Sequence, residues 1–309
     1  MDLKNKRILV TGGHGFLGKH VVKKLQAKNL SVIYTPSSQQ ADFRLWQECA
    51  WQTMEKDLVI HLAGNVGGIG YNQKNPGKLF YDNLMMGAQL METARINGVS
   101  KFVAIGTVCA YPKFTPTPFK EENLWNGYPE ETNAPYGLAK KALLVQAQAY
   151  RQEFGFNAIY LLPVNLYGPG DNFNPDSSHV IPAIIMKVTR AKDAHQNYIE
   201  VWGTGQATRE FLYVEDAAEA IILAAEKYDK PEPVNLGSGM EISIGDLVGL
   251  ICRIMDFGGQ IHWVSSRPDG QPRRLLDVTR AKQEFGFTAK TQFREGLQKT
   301  IDWYLAQQP

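Results

Sequence analysis

A length of 309 residues, 44% of them hydrophobic, allows one large domain or two medium ones with a sizeable buried core. The 33 basic and 31 acidic residues leave a net charge of +2 without blocks of like charge, which argues against a nucleic-acid or anionic-membrane surface. No apolar run approaches the ~18 residues that span a bilayer, and no signal-peptide stretch precedes the first strand. Cys49, Cys109 and Cys252 lack metal-ligand spacing, so we expect no metal site and a cytoplasmic location.

The first predicted elements are a strand, a glycine-rich turn and a helix. The apolar run Arg7-Ile-Leu-Val-Thr11 is followed by Gly12, Gly15 and Gly18, and then by a helical pattern. Glycines at these positions permit a tight turn, close approach of a pyrophosphate and close helix packing. The order predicts a dinucleotide-binding site.

The second predicted strand, residues 31–35, ends without the acidic residue that usually holds the ribose 2′-hydroxyl of NAD. Pro36 and Ser37 stand there instead, which leaves room for the 2′-phosphate of NADP. Asp42 lies further on, where it either faces the adenine or belongs to a surface turn. NADP(H) is therefore the expected cofactor.

Strands and helices continue to alternate as far as residue 164, and loop backbone after the third strand can approach the cofactor. This order predicts an α/β fold with a Rossmann-type doubly wound parallel sheet. After Asn165 the alternation fades, which predicts a smaller C-terminal α/β substrate-binding lobe. The expected division is a dinucleotide-binding domain over 1–164, to which 210–232 returns, and a substrate-binding lobe over 165–209 and 233–309.

The chemistry is predicted where the fourth strand ends and the next long helix begins. Thr107 ends the strand, and Tyr136 and Lys140 are four residues apart, on one face of a helix. There Tyr136 can exchange a proton with a carbonyl or alcohol oxygen, Lys140 can favour the phenolate electrostatically, and Thr107 can orient the oxygen. The alternative is an exposed Tyr and Lys without a catalytic role.

Further motifs lie along nearly the whole chain. They are Val66–Ile69, Cys109–Lys113, Asn133–Lys140, Asn165–Pro169, Asp171–Phe173, Ser178–Pro182, Val201–Gly205, Arg209–Leu212 and Pro268–Gly270 with Leu276–Arg280. In these motifs the chain resembles the extended short-chain dehydrogenase/reductases that act on nucleotide sugars. Within that family it resembles the branch that epimerises and reduces GDP-4-keto-6-deoxy-D-mannose to GDP-L-fucose with NADPH.

The resemblance implies residue roles. Tyr136, Lys140 and Thr107 would handle the reduction, and Cys109 and His179 would act as base and acid in the epimerisation. A ketone at carbon 4 acidifies carbons 3 and 5, and a thiol and an imidazole titrate close enough to neutrality to exchange those protons. The expected cofactor contacts are Gly12, Gly15, Phe16, Leu17, Gly18, Ser37, Asp42, Ala63, Lys140, Pro163, Asn165, Leu166 and His179. The expected contacts to the GDP-sugar are Asn165, Lys187, Trp202, Arg209 and Asp269.

The chain departs from the family's pattern in three respects. The family commonly has Ser-Ser-Cys at residues 107–109, where this chain has Thr-Val-Cys, so the first hydroxyl is kept. It often has arginine where His14 and the Pro36–Ser37 pair stand, which weakens the expected preference for NADP. Lys187 also replaces an arginine, so the charge is kept and the bidentate geometry is lost.

Two classes of alternative stay open. One is a related nucleotide-sugar enzyme: a 4,6-dehydratase, a 4-epimerase, or a synthase of another GDP- or dTDP-linked 6-deoxy sugar. Val108 and Cys109 stand where dehydratases carry an acidic pair, which argues against dehydration. The other is a non-catalytic NADP-binding regulator, against which the Tyr136–Lys140 pair argues. The apolar spacing of the two long helices suits a homodimer through a helix bundle.

Overall fold

A computed structural model describes residues 1–28, 32–267 and 270–308, and its centre is a six-stranded parallel sheet in the order β2-β1-β3-β4-β5-β9. The strands are β1 (Arg7–Thr11), β2 (Val32–Tyr34), β3 (Leu58–His61), β4 (Lys101–Ile105), β5 (Ala158–Pro163) and β9 (Val234–Leu236). The chain runs from β1 outward to β2 and then crosses to β3 on the other side of β1. A ligand crevice is expected at such a reversal, beyond the carboxyl ends of the strands.

Two layers of helices cover this sheet and explain its strand sequences. The helices are α1 (Phe16–Ala27), α2 (Trp46–Thr53), α3 (Ile69–Lys74), α4 (Pro76–Ile96), α5 (Ala134–Phe154) and α7 (Val214–Lys227). α1 packs against α7 in one layer, and α2, α4 and α5 pack together in the other. Strands β3, β4 and β5 are buried at every position, as expected for a sheet covered on both faces. The predicted Rossmann-type fold is confirmed.

A second, smaller assembly of strands and helices has its own hydrophobic core. It contains a three-stranded sheet, a parallel strand pair and three helices. The strands are β6 (Asn165–Tyr167), β7 (Tyr198–Trp202), β8 (Thr208–Tyr213), β10 (Glu241–Ser243) and β11 (Gln260–Val264), and the helices are α6 (Val180–Asp193), α8 (Ile244–Ile254) and α10 (Phe293–Leu305). α9 (Thr279–Phe285) packs instead against α7 and β9.

One strand lies on the other side of the predicted division. β9 belongs to the range 233–309, yet it pairs in parallel with β5, with Leu161 opposite Val234 and Pro163 opposite Leu236. All three of its residues are buried, so the strand completes the main sheet and covers its apolar edge. α7 packs against α1, and the division of the chain into two domains stays a prediction. Within the described ranges, no helix combines the length and apolar character that crossing a bilayer requires.

Candidate active site

The turn after β1 forms a cradle that side chains would fill. Gly12 has φ +68°, and a Cβ atom there would lie 2.8 Å from the backbone nitrogen of Ala63. A Cβ at Gly18 would lie 2.0 Å from the carbonyl oxygen of Gly12. Gly15 caps α1, whose first-turn N–H groups therefore face this turn. A cradle that only glycine can line, at a helix N-terminus, fits the pyrophosphate of a dinucleotide.

The other expected cofactor residues line the same edge of the sheet. Ala63 follows β3 and donates its N–H to the Thr11 hydroxyl at 3.2 Å. Pro163 ends β5, and Asn165 and Leu166 open β6. Phe16 and Leu17 form the first turn of α1. Because parallel strands present their carboxyl ends at one edge, these residues can contact one extended ligand.

Local hydrogen bonds hold the segment that follows β2, residues 35–40. The Ser37 N–H donates to the Gln40 side chain at 2.9 Å, within a tight turn. A ring nitrogen of His14, where the family often has arginine, pairs with the carbonyl oxygen of Thr35 at 2.8 Å. His14 therefore joins the glycine turn to the end of β2.

Asp42 is engaged by an arginine of its own chain. Arg44 donates to the two oxygens of Asp42 at 2.9 and 2.7 Å and reaches Asp82 on α4 at 3.1 Å. The hydrogen bond from Arg44 is the main cause that lowers the pKa of Asp42. The carboxylate is therefore ionised and held by a cation, an arrangement that neither predicted role for Asp42 included.

Thr107, Cys109 and Tyr136 come together at the carboxyl end of β4. The Thr107 hydroxyl accepts the Cys109 N–H at 3.2 Å and caps a short 3-10 turn, Val108–Ala110. A Cβ at Gly137 would lie 2.4 Å from the carbonyl oxygen of Cys109, so this glycine lets α5 lie flush against the turn. The neighbouring Tyr136 thereby reaches a hydrogen bond with the Thr107 side chain.

The protonation states of Tyr136 and Lys140 follow from their burial. Burial raises the pKa of Tyr136 well above its ordinary value, nearby Cys109 adds to the rise, and the hydrogen bond with Thr107 opposes it. The phenol is therefore protonated at neutral pH, the form that a proton donor needs. Lys140 is 3% exposed, and burial lowers its pKa to about 8. Burial is thus the main cause of both pKa shifts, and the role of Lys140 in favouring a phenolate stays a prediction.

Two ring-bearing side chains, Tyr160 and His61, lie near Lys140. The hydroxyl of Tyr160 donates to the backbone oxygen of Lys140 at 2.8 Å, and its ring fills the space that a side chain at position 106 would need. His61 is fully buried and its Nδ1 pairs with the Thr11 hydroxyl at 2.8 Å. Burial and then the charge of Lys140 lower the pKa of His61, so its ring is neutral.

His179 is held at the start of α6 by the loop that follows β3. The Gly68 N–H donates to the Ser177 carbonyl at 3.1 Å, and a Cβ at Gly68 would lie 2.5 Å from the Ser178 oxygen. The His179 side chain is exposed, although protein atoms around it partly exclude solvent. This partial loss of solvent, and secondly the Arg274 guanidinium, lower its pKa below the ordinary value.

Arg274 was not assigned by sequence reasoning. It is 7% exposed, and its Nη1 lies 3.6 Å from the Cys109 sulfur. Its Nε donates to the Gln271 side chain at 2.9 Å. The basic pair Arg273–Arg274 was visible in the sequence, but only burial distinguishes the arginine that enters the site.

The expected sugar and nucleotide contacts lie in the smaller lobe. Trp202, at the end of β7, is 50% exposed, and the Arg267 guanidinium lies 4.8 Å from its ring centroid. Lys187 on α6 donates to the Glu200 carbonyl at 2.7 Å. A half-exposed indole beside cationic groups can accept a nucleobase or a sugar face. Asp269 lies outside the described residues.

Arg209 and Asn165 also donate hydrogen bonds to backbone carbonyl oxygens in this part of the chain. Arg209 is 9% exposed, and its Nη1 donates to the carbonyl oxygens of Thr208 at 2.7 Å and Gln271 at 2.6 Å. The Asn165 amide donates to the Glu210 carbonyl at 2.9 Å. Part of the hydrogen-bonding capacity of both side chains therefore holds the backbone around the site.

Known proteins resemble the chain in sequence and in fold. Residues 8–237 match the family model described as the NAD dependent epimerase/dehydratase family. GDP-L-fucose synthase 1 of Arabidopsis thaliana is 38% identical over 307 residues, which cover 99% of this chain and 95% of that protein.

Solved structures give the same picture. A GDP-L-fucose synthetase of Naegleria fowleri bound to NADP superposes with a TM-score of 0.87 at 27% identity, covering 98% of this chain and 95% of that one. A GDP-6-OMe-4-keto-L-xylo-heptose reductase of C. jejuni has a TM-score of 0.92 at 26% identity, covering 100% and 99%. The chain therefore belongs to the NAD dependent epimerase/dehydratase family, in the branch that contains the GDP-L-fucose synthases.

Proposed function

We propose that this protein is an NADP(H)-dependent 3,5-epimerase/4-reductase that converts GDP-4-keto-6-deoxy-D-mannose to GDP-L-fucose. The observation that carries the proposal is the gathering of Thr107, Cys109 and Tyr136 at the carboxyl end of β4, the edge of the parallel sheet that also carries the glycine cradle. A proton donor for the keto oxygen and a thiol for the neighbouring carbons stand together there. Sequence identity over nearly the full length of the GDP-L-fucose synthase from Arabidopsis thaliana supports the choice of substrate.

Epimerisation needs a base and an acid beside an acidified carbon. In the proposal the Cys109 thiolate removes a proton from carbon 3 or 5, and the electron pair moves into an enolate at carbon 4. His179 returns a proton to the opposite face of the carbon. Its lowered pKa makes the imidazolium a stronger acid, while most of the ring is neutral near pH 7.

Reduction uses the residues around Tyr136. NADPH, when bound, supplies the hydride for carbon 4. The Tyr136 phenol donates its proton to the developing alkoxide, the Thr107 hydroxyl orients that oxygen, and the charge of Lys140 favours the phenolate that remains. The structural model supports this order of events, because burial keeps the phenol protonated beforehand.

The decisive experiment supplies GDP-4-keto-6-deoxy-D-mannose and NADPH and identifies the product by NMR. We expect GDP-L-fucose, and a kcat/KM with NADPH that exceeds the value with NADH by a modest margin. The margin is modest because β2 ends without an acid and the two positions where the family often has arginine lack it. An unaltered substrate would refute the function, and equal or better kcat/KM with NADH would refute the cofactor preference.

A reductase without epimerase activity is the second candidate. Its support is the TM-score of 0.92 to the heptose reductase of C. jejuni. Product made in heavy water separates the two candidates, because only an epimerase introduces deuterium at carbons 3 and 5.

The titration of Lys140 predicts that kcat/KM falls at alkaline pH. Its pKa of about 8 means that the ammonium group is present below that pH and lost above it. We therefore expect kcat/KM for NADPH to be level near neutrality and to fall about tenfold per unit above pH 8. Tyr136 cannot cause this fall, because burial raises its pKa. A profile that stays level to pH 10 would contradict the role of Lys140.

The proposal includes a cytoplasmic homodimer. The packed helices α4 and α5 leave Phe80, Tyr81 and Val145 exposed, which supports pairing through a helix bundle. All three cysteines are free thiols, in keeping with a reducing compartment. Sedimentation velocity would show a dimer, and a monomer at micromolar concentration would refute this part.

A further inference from the structure

Arg274 is a buried cation whose guanidinium group is fixed at both ends. Nη1 faces the Cys109 sulfur at 3.6 Å, and Nε donates to the Gln271 side chain at 2.9 Å. A long cationic side chain is rarely this buried without partners that hold its charge. Its position next to the thiol is therefore held by burial and by its hydrogen bonds.

Gln271 connects this arginine to the loop that carries the thiol. It is 2% exposed, and its amide donates to the carbonyl oxygens of Pro112 at 3.2 Å and Lys113 at 3.1 Å. Its backbone carbonyl oxygen accepts a hydrogen bond from Nη1 of Arg209. One side chain thus holds the guanidinium on one side and the backbone just beyond Cys109 on the other.

We propose that Arg274, held by Gln271, is a positioning residue that stabilises the Cys109 thiolate as the epimerisation base. The proposal rests on the proposed function of the site. When the thiolate takes the proton of carbon 3 or 5, an S–H bond forms and the C–H electron pair becomes the enolate of the carbon 4 ketone. Before that step the sulfur carries a negative charge, and a guanidinium is the matched partner for it.

The same charge acts on the partner acid. A cation near His179 disfavours the imidazolium form and so favours release of its proton to the enolate. One arginine thus biases both groups in the same sense, because its positive charge favours loss of the proton from the thiol and from the imidazolium. Arg273 has no such position, because it is exposed and pairs with Glu241 at 2.7 Å.

The first test measures the thiol without any sugar. In the NADP⁺-saturated enzyme at pH 7, the thiolate displaces iodide from iodoacetamide, and mass spectrometry follows the peptide that contains Cys109. Arg274→Gln and Arg274→Met should slow this alkylation roughly tenfold or more. Arg274→Lys should stay within about threefold of the wild-type rate, since it keeps the charge, and the matched control Arg273→Gln should equal wild type. If Arg274→Gln does not fold, Arg274→Met provides the same test of the lost charge.

Unchanged alkylation in both charge-free variants would overturn the proposal. So would a lysine variant as slow as the Gln variant, because the arginine would then act through structure and not through charge.

The second test separates this role from direct substrate contact. In heavy water, Arg274→Gln should lower deuterium uptake at carbons 3 and 5 by a factor similar to its effect on alkylation. Reduction of an already epimerised 4-keto sugar should keep its KM and kcat. An equal rise of KM in both reactions would make Arg274 a substrate contact and overturn the proposal. If the wild-type enzyme takes up no deuterium, the proposed epimerase function fails, while the alkylation rates still decide what Arg274 does to the thiol.

Discussion

Replacing Cys109 by alanine is expected to abolish deuterium uptake at carbons 3 and 5 while leaving hydride transfer intact. The loss should be about 10²–10⁴-fold, the usual contribution of a general base. Cys109 lies two residues past Thr107 and beside Arg274, and it takes no part in the proton donation assigned to Tyr136 and Lys140 on α5. An already epimerised 4-keto sugar should therefore be reduced at a near-normal rate. The ordinary substrate should slowly give the unepimerised GDP-6-deoxy sugar.

A matched control removes a different thiol. Cys252→Ala deletes a buried cysteine in the core of the smaller lobe, and its deuterium uptake should remain at the wild-type level. Normal uptake in Cys109→Ala would end the assignment. Cys109 would then be a packing residue, and His179 or another group would be the base.

Replacing Tyr136 by phenylalanine is expected to produce the opposite pattern. The ring still packs against the end of β4, but the proton for the developing alkoxide is lost. We expect kcat for reduction to fall about 10²–10⁴-fold, with NADPH affinity nearly unchanged and deuterium uptake preserved. Stopped-flow measurement of NADPH oxidation and NMR of the recovered sugar give the two rates separately.

The matched control for this variant is Tyr128→Phe. Tyr128 is 62% exposed on the loop between β4 and α5, so its hydroxyl should not affect either rate. Wild-type reduction by Tyr136→Phe would refute its role as the proton donor. Parallel loss of uptake and reduction would instead indicate damage to the whole site.

The sequence by itself determined most of the main sheet, the glycine turn and the face of α5 that Tyr136 and Lys140 share. These features depend on neighbouring residues: apolar runs alternate with helical patterns, and a Tyr and a Lys four positions apart must share a helix face. The strand before Thr107 and the helix after it could be placed for the same reason. The further motifs then identified the family. Each motif is short, but together they occur in the family's order over nearly the whole chain.

Only the tertiary structure decided the partners of residues that the sequence does not distinguish. Arg273 and Arg274 are neighbours in sequence, yet one pairs with Glu241 at the surface and the other contacts Cys109, 165 positions away. β9 joined the main sheet because its three buried residues, two of them apolar, complete the edge next to β5. Asp42 took Arg44 as a partner, which no spacing rule indicated. Burial and long-range pairing set these outcomes, and both depend on where distant segments meet once the chain is folded.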